Sequence, residues 1–545
     1  MRGFVNRKQG DGRKIELTEG NEGGANRIMA GQNHLRNTLR LCLLASLRYI
    51  FSLVTAGAVL LSVHVAESAR KPNIVFILAD DLGYGDIGPF GQKIIRTPTL
   101  DKLASEGMKF TQHYAGCPVC APSRCVLITG KHPGHGFVRD NREIGSWYSF
   151  QGQIPIPASE ASIAAALESV GYATAAFGKW GLGGPGSSGD PLKHGFEHFF
   201  GFNDQRQAHN YFPHYLNEDE SKFILTGNSN VSEQENLSVP AGADANDPTS
   251  YSAFTGTQYA PDLCCERALQ FIRQNKDKPF FLYYPTTVPH LALQVPADSI
   301  AEYRGKLDDH PYPGGKGYLP QQYPHAAYAV MITRLDRDIG RLVSLTKELG
   351  LYEDTVFIFT SDNGGVFPLA GVDPAYFRSN GDLRGYKQDI YEGGIREPLI
   401  VSWKGHIPAG TTSTRVTGFE DWFPTLLEFT GATNALPKGC DGISFAPTLL
   451  GKKQSERPFL YREYHGSGGQ QSVRTGDWKL VRLHLVGTPK NPAAPTTELY
   501  NLAADPSEKQ NVATEHPDVV ARLMKIAAEQ HRGSKEFPIP VLDEE

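Results

Sequence analysis

From Pro72 onward, short unbroken apolar runs alternate with stretches whose apolar positions recur at helical spacing. Continuous apolar runs of this length read as strands covered on both faces, and the segments between them as crossover helices. The predicted strands are 73–79, 172–177, 280–284, 355–360 and 399–403; the predicted helices are 100–106, 162–170, 261–274 and 327–349. Gly107, Gly171 and Gly350 follow three of these helices, where a glycine C-terminal cap is expected. The pattern predicts an α/β fold with a doubly wound, mostly parallel sheet.

Past a Gly-Lys-Lys linker that ends near Gln454, the chain carries strand-like 459–464, 471–474 and 478–485 and then helix-like 519–529. This predicts a smaller C-terminal α+β domain. At 545 residues the chain exceeds the roughly 250–300 at which a single core stops growing. The expected division is an N-terminal extension with a signal peptide (1–69), a main domain (70–453) and the C-terminal domain (454–545). No internal repeat or low-complexity tract interrupts it.

The first seventy residues have a different character. Arg36, Arg40 and Arg48 precede an uncharged apolar run over 49–63, and the small residues Ala66 and Ser68 follow. The run is shorter than the ~20 residues a spanning helix needs, so an export signal cleaved near Ser68 or Ala69 is favoured over an uncleaved anchor. The protein is expected to be exported: periplasmic, cell-surface or secreted. Met29 offers a second start for the long polar lead.

Composition narrows the function classes only a little. With 40% hydrophobic residues, 21% charged residues and a net charge of −5, the chain has no basic excess that would suggest nucleic acid. Seven cysteines form no evident disulfide framework. Cys264 shares a helical face with Ala268, Phe271 and Ile272, which predicts burial, and the lack of a second Cys-x-x-Cys pair argues against structural zinc.

The candidate chemistry sits where the strands end. Asp80-Asp81, Lys179, His290 and Asp362-Asn363 follow apolar strands, and open α/β sheets bind ligands at the carboxyl ends of their strands. Three carboxylates and an amide oxygen suit one hard cation, calcium before magnesium. The bland alternative for an Asp-Asp pair is a turn or a helix cap.

Cys120-Ala121-Pro122-Ser123-Arg124, followed by Thr129-Gly130, resembles the maturation signature of the sulfatase family, formylglycine-dependent and arylsulfatase-like within the alkaline phosphatase superfamily. The bland reading of those residues alone is a buried thiol near a helix start. The resemblance implies that a formylglycine-generating enzyme oxidises Cys120 to an aldehyde. Its hydrate carries two hydroxyls on one carbon, one to attack sulfur and one to expel sulfate. It implies further that Asp80, Asp81, Asp362, Asn363 and modified Cys120 hold calcium, and that Arg124 fixes the formylglycine. Lys179, in Phe177-Gly178-Lys179-Trp180-Gly181-Leu182-Gly183, and Lys387, ahead of Tyr391-Glu392-Gly393-Gly394, resemble the lysines that clamp sulfate. His290, in Thr287-Val288-Pro289-His290, resembles the proton donor to the leaving alcohol, a role imidazole can fill near neutrality. In the C-terminal region, Thr475-Gly476-Asp477-Trp478-Lys479-Leu480 and Glu498-Leu499-Tyr500-Asn501-Leu502 resemble the subdomain of bacterial sulfatases.

One position departs from the pattern: Gly181 stands where many relatives carry a histidine that takes a proton as sulfate leaves. His132, His135, His194, His198 and His209 are the candidate substitutes, and an enzyme stalled after its first half-reaction is the alternative. Within the Gly-, His- and aromatic-rich segment 184–215, Gln205, Arg206 and His209 are expected to form part of a substrate wall. A sulfated small molecule or glycan is the expected partner, nucleic acid is not, and the oligomeric state is left open. Competing readings are a formylglycine-dependent phosphonate or phosphate monoester hydrolase and a secreted, non-catalytic carbohydrate-binding pseudoenzyme.

Overall fold

Eleven strands assemble one sheet because the apolar runs of the sequence pair side by side and bury both faces. The computed structural model describes residues 70–144, 153–233, 236–487 and 494–544. The expected export signal at 1–69 lies outside the described residues. The strands of the main sheet are β1 (Asn73–Ala79), β2 (Met108–Tyr114), β3 (Ala173–Lys179), β4 (His198–Phe202), β5 (Tyr215–Glu218), β6 (Ser221–Ile224), β7 (Phe280–Pro285), β8 (Thr355–Ser361), β9 (Arg396–Ser402), β10 (Thr411–Ser413) and β11 (Thr417–Gly418). Their order is β10-β2-β9-β8-β1-β7-β3-β4-β5-β6, with β11 beside β2. The central strands β8, β1, β7, β3 and β4 run parallel, whereas β9 lies antiparallel to both β8 and β2.

Every residue of β1, β3, β7 and β8 is buried. This follows from helices on both faces, which leave a parallel sheet no wet side. One face packs against α4 (Ala260–Gln274) and α5 (Pro324–Glu348), the other against α2 (Cys120–Thr129) and α3 (Ile163–Glu168); α1 (Pro98–Glu106) lies with α5. Cys264, Ala268, Phe271 and Ile272 turn one buried face of α4 inward, and Cys264 and Cys265 are free thiols.

Three sequence expectations are corrected. Lys179 is the last residue of β3, not the first residue beyond it. Gly107 ends α1 in extended backbone, φ −140°; a side chain there would lie 2.2 Å from the Val401 carbonyl oxygen, so close approach of β9 sets this residue, not a left-handed cap. β2 went unpredicted because half of it is polar: Lys109, Thr111 and Gln112 interrupt the apolar run.

Beyond the main sheet, β12 (Leu460–Tyr464), β13 (Gln470–Thr475), β14 (Trp478–Leu483) and β15 (Thr496–Asn501) form a four-stranded antiparallel sheet. The helix Pro517–Gln530 packs on it through Val519, Leu523 and Ala527. This sheet is tied to the body by buried polar contacts. Arg462 donates to the Ala115 carbonyl and pairs with Glu420, and Lys479 pairs with Glu392 at 2.9 Å. Gln470 bonds the backbone at both Gln388 and Ile390. Among the described residues, no helix is long and apolar enough to cross a membrane.

Candidate active site

The carboxyl ends of β1, β3, β7 and β8 converge, and the side chains just past them face one crevice. In an extended strand, consecutive side chains point to opposite faces, so two adjacent carboxylates could not share it. Asp81 escapes that limit by leaving β1 at φ +63°, a left-handed conformation that aspartate tolerates better than most residues. Asp80 and Asp81 thereby both face Cys120, whose Sγ lies 3.5 Å from Asp80 Oδ1 and 4.0 Å from Asp81 Oδ1.

α2 brings the signature residues to the same point. Cys120 is its first residue, and Ser123 and Arg124 follow at helical spacings that share its face. Ser123 Oγ donates to the Asp362 carbonyl at 2.5 Å and accepts from Gly116 N. Arg124, fully buried, grips Asp362 Oδ2 through Nε at 2.9 Å and Nη2 at 2.7 Å, and donates to the Lys179 carbonyl. Its contacts thus fix Asp362 and the end of β3. The helix stops at Thr129-Gly130: Thr129 Oγ1 donates to the Cys125 carbonyl, and Gly130 turns at φ +71° and donates its N–H to Val126.

Two ammonium groups balance the carboxylates. Lys179 Nζ lies 2.7 Å from Asp80 Oδ2 and 3.6 Å from Cys120 Sγ, and Lys387 Nζ lies 2.8 Å from Asp81 Oδ2. Lys387 is held from both sides, its own N–H donating to Gly365 O and that of Gln388 to Pro118 O. Burial alone would raise the Asp80 carboxyl, but Lys179, His290 and Arg124 outweigh it and hold it far below the carboxylate range. Burial pushes the Cys120 thiol up to about 12 despite the two lysines. His290 receives Lys387 at Nε2, 3.0 Å away, and its Nδ1 donates to the Leu291 carbonyl. Burial, then Lys387 and Lys179, drive its pKa well below the ordinary imidazole value.

The donor set fits a hard dication. Asn363 lies beside Asp81, giving it an N–H at 2.8 Å, while Asn363 Oδ1 is buried without a partner among the described residues. Burial, with Asp80 and Asp81 as neighbours, pushes Asp362 up to about 7, outweighing Arg124. Three buried carboxylates and an orphan amide oxygen are the chemistry that calcium or magnesium satisfies.

Asp81, Cys120, Lys179, His290 and Lys387 line a cavity of about 200 Å³. Gln205 and His209 also line it, whereas Arg206 faces an adjoining cavity of about 310 Å³ with Glu143 and Gln153. Asn141, Tyr318, Val366, Phe367 and Gln388 complete the inner wall; they sit on loops whose sequence carries neither periodicity nor a motif. A larger surface hollow of about 370 Å³ lies against β4 and α4, and its Arg267 is already paired with Glu218.

Of the five candidate substitute histidines, His209 alone lines the inner cavity; its ring stacks on His290 with centroids 4.5 Å apart. His132 and His135 cluster instead with Asp441. His194 bonds the Ser188 carbonyl, and His198 lies near Asp219 on the surface.

The Sulfatase family model matches residues 72–432, and the model for the C-terminal part of N-sulphoglucosamine sulphohydrolase matches 385–532. Human arylsulfatase A is 34% identical over 498 residues, covering 84% of this chain and 87% of that protein. N-acetylgalactosamine-6-sulfatase of Sus scrofa is 30% identical over 521 residues, covering 90% and 91%. Among solved structures, Ps i-CgsB in complex with k-i-k-neocarrahexaose superposes with a TM-score of 0.66 at 25% identity, covering 84% of this chain and 92% of that one. A crevice at the carboxyl ends of β1 and β8, with the signature helix α2 beneath it, lies inside a match that spans most of the chain: the protein belongs to the sulfatase family, the hydrolases of sulfuric esters.

Proposed function

We propose that this protein removes sulfate from sulfated carbohydrates, using a formylglycine made from Cys120 beside one calcium ion. The observation that carries the reading is the joint burial of Cys120, Asp81, Lys179, His290 and Lys387 around one small cavity, with buried Asp80 bonded to Lys179. Burial that pushes the Cys120 thiol up to about 12 agrees with a residue 120 that acts in another form than a free thiolate. As the hydrated aldehyde, residue 120 supplies one hydroxyl to attack sulfur and a second that passes its proton to His209, the candidate substitute histidine in the cavity, as the carbonyl re-forms and the C–O bond to sulfate breaks. A bound calcium ion, held by Asp80, Asp81, Asp362 and Asn363 with residue 120, would lower the pKa of that hydroxyl and offset charge on the sulfate.

The chain's own residues do the rest. Residue 120 begins α2, whose N-terminal end favours negative charge through the helix dipole. Lys179 and Lys387 hold the sulfate oxygens as charged donors, burial of Lys387 being outweighed by Asp81 so that it stays an ammonium. His290 lines the cavity with Nε2 accepting from Lys387; when sulfate takes over the Lys387 ammonium, Nε2 is freed to bind a proton and pass it to the ester oxygen as the S–O bond breaks. Arg124 keeps Asp362 in place. Gln205, Arg206 and His209 meet the sugar, and residues 454–545 act as a support domain that ties down the Lys387 segment through Gln470. Export from the cell agrees with the apolar run at 49–63. A formylglycine-generating enzyme is the partner that the reading requires.

Sulfate release from an aryl sulfate and a panel of sulfated sugars, with calcium and confirmed formylglycine, tests the proposal against Cys120→Ala. Multiple turnovers abolished in the variant are expected. Hydrolysis of phosphonate esters alone would favour the competing ester, and specific sugar binding without turnover the pseudoenzyme.

A further inference from the structure

Gly181 leaves β3 at φ +77°, and a Cβ built on it would lie 1.8 Å from Gln205 Nε2 and 2.8 Å from its Cδ. The two residues therefore compete for one space. The backbone holds them in that relation, since Trp180 N–H donates to Phe202 O and Gly181 N–H to Asn203 O. Gln205 is only 3% exposed, yet neither its Oε1 nor its Nε2 has a hydrogen-bond partner among the described residues. A buried amide left unmet on both sides is costly, and a site that holds one calls for a group to meet it. Its surroundings supply the ligand's place: Gln205 lines both the cavity of Cys120 and the adjoining cavity of Arg206.

We propose that Gln205 is a substrate-binding residue that fills the space of a residue-181 side chain and donates from Nε2 to an oxygen of the sulfate ester. This rests on the sulfatase reading above. An amide offers a donor and an acceptor but no proton that titrates near neutrality, so the group at this position holds the anion and does not transfer a proton. Glycine at 181 answers both to its φ of +77°, where any side chain is strained, and to Gln205, whose amide a Cβ there would displace.

Two measurements test the inference. The first takes kcat and KM for the formylglycine-bearing wild type, Gln205→Ala, Gln205→Glu, Gly181→Ala and the double variant Gly181→Ala/Gln205→Ala. A hydrogen bond to a charged group predicts a loss in kcat/KM of about ten- to a hundredfold for Gln205→Ala. Gln205→Glu loses more, since a carboxylate faces the sulfate. Gly181→Ala loses at least as much as Gln205→Ala, since backbone strain adds to the displaced amide, and the double variant loses no more than Gly181→Ala alone. Wild-type kcat/KM in Gln205→Ala, or losses that multiply in the double variant, would overturn it. The second measurement uses inorganic sulfate as the probe and Tm as the readout, in a Cys120→Ala background without turnover. Sulfate raises the Tm, and adding Gln205→Ala raises the sulfate concentration needed at least tenfold; an unchanged concentration dependence sinks the inference. Because this arm needs no catalysis, an inactive wild type would count against the sulfatase reading and leave the role of Gln205 decided by the Tm series.

Discussion

Lys387 lies 3.0 Å from Nε2 of His290 and 2.8 Å from Oδ2 of Asp81, so one ammonium touches both the histidine proposed as proton donor and a carboxylate proposed as metal ligand. A positive charge beside an imidazole disfavours the imidazolium, and it adds to the burial that already depresses His290. Replacing Lys387 with Met is expected to lower kcat/KM by about a hundredfold through loss of a charged donor, while the alkaline limb of its pH profile moves upward. An unmoved limb would show that Lys387 does not set the protonation of His290.

Burial of Cys120 gives a second prediction. Protein made without maturation is expected to show no turnover, and its Cys120 is expected to resist alkylation by iodoacetamide at pH 8, because the thiolate is scarce when the thiol pKa is about 12. Mass spectrometry of the Cys120 peptide before and after reagent reads both points. Rapid alkylation of folded, unmodified protein would contradict them.

Arg124 and Asp362 are both fully buried and joined by two hydrogen bonds. Removing the cation leaves an unpaired buried carboxylate, at a cost of about 3–5 kcal/mol. Arg124→Met is therefore expected to lower the Tm in calcium-free buffer, and calcium is expected to recover part of the loss by offsetting the exposed charge. Chemical denaturation with and without EGTA measures the two terms.

Calcium itself is expected to stabilise the folded wild type. A ligand at a hundred times its Kd adds about 2.7 kcal/mol, so the Tm rises with calcium and falls back on chelation. Asn363→Ala, which removes the orphan oxygen, is expected to move the calcium midpoint to higher concentration. Identical midpoints in the two proteins would remove Asn363 from the ligand set.

His113 sets a pH dependence far from the active site. Its buried ring donates from Nδ1 to Thr417 and accepts at Nε2 from Trp422. Burial, followed by Arg462, lowers its pKa to about 3, and burial lowers that of His132 to about 4. The unfolded chain binds these protons near pH 6.5, so stability is lost as pH falls through the window from 6.5 towards 3. The expected slope per histidine is about 1.4 kcal/mol per pH unit. His113→Gln should flatten the curve by one such slope in urea titrations at pH 6 and pH 4.5.

The strands that carry the site were legible because they are fully buried: 73–79, 280–284 and 355–360 read as apolar runs and form β1, β7 and β8, with end shifts of at most one residue. Long helices with one apolar face, such as α4 and α5, were equally clear. α2 was not, since all ten of its residues are buried and its sequence has no polar side to mark a period. β4, β5 and β6 at the sheet edge are short, and β6 exposes three of its four residues. Asp80, Asp81, Lys179, Asp362 and Asn363 could be placed because each follows or ends a strand, whereas Lys387 lies in the loop before β9 and Cys120 begins a helix, so only their motifs mark them. The relation of Gly181 to Gln205 could not, because it depends on the pairing of β3 with β4, which no local pattern encodes.

The partners that enclose the start of α2 come late in the chain. Ser123 and Arg124 are closed over by Asp362, 239 and 238 positions further on, and Lys387 follows it. Ribosomes add about 5–20 residues per second, so these partners emerge roughly 10–50 s after Arg124. During that interval Cys120 cannot be buried by residues that do not yet exist. The oxidising enzyme proposed above would thus have a head start measured in tens of seconds, the order of the residues along the gene serving as its clock.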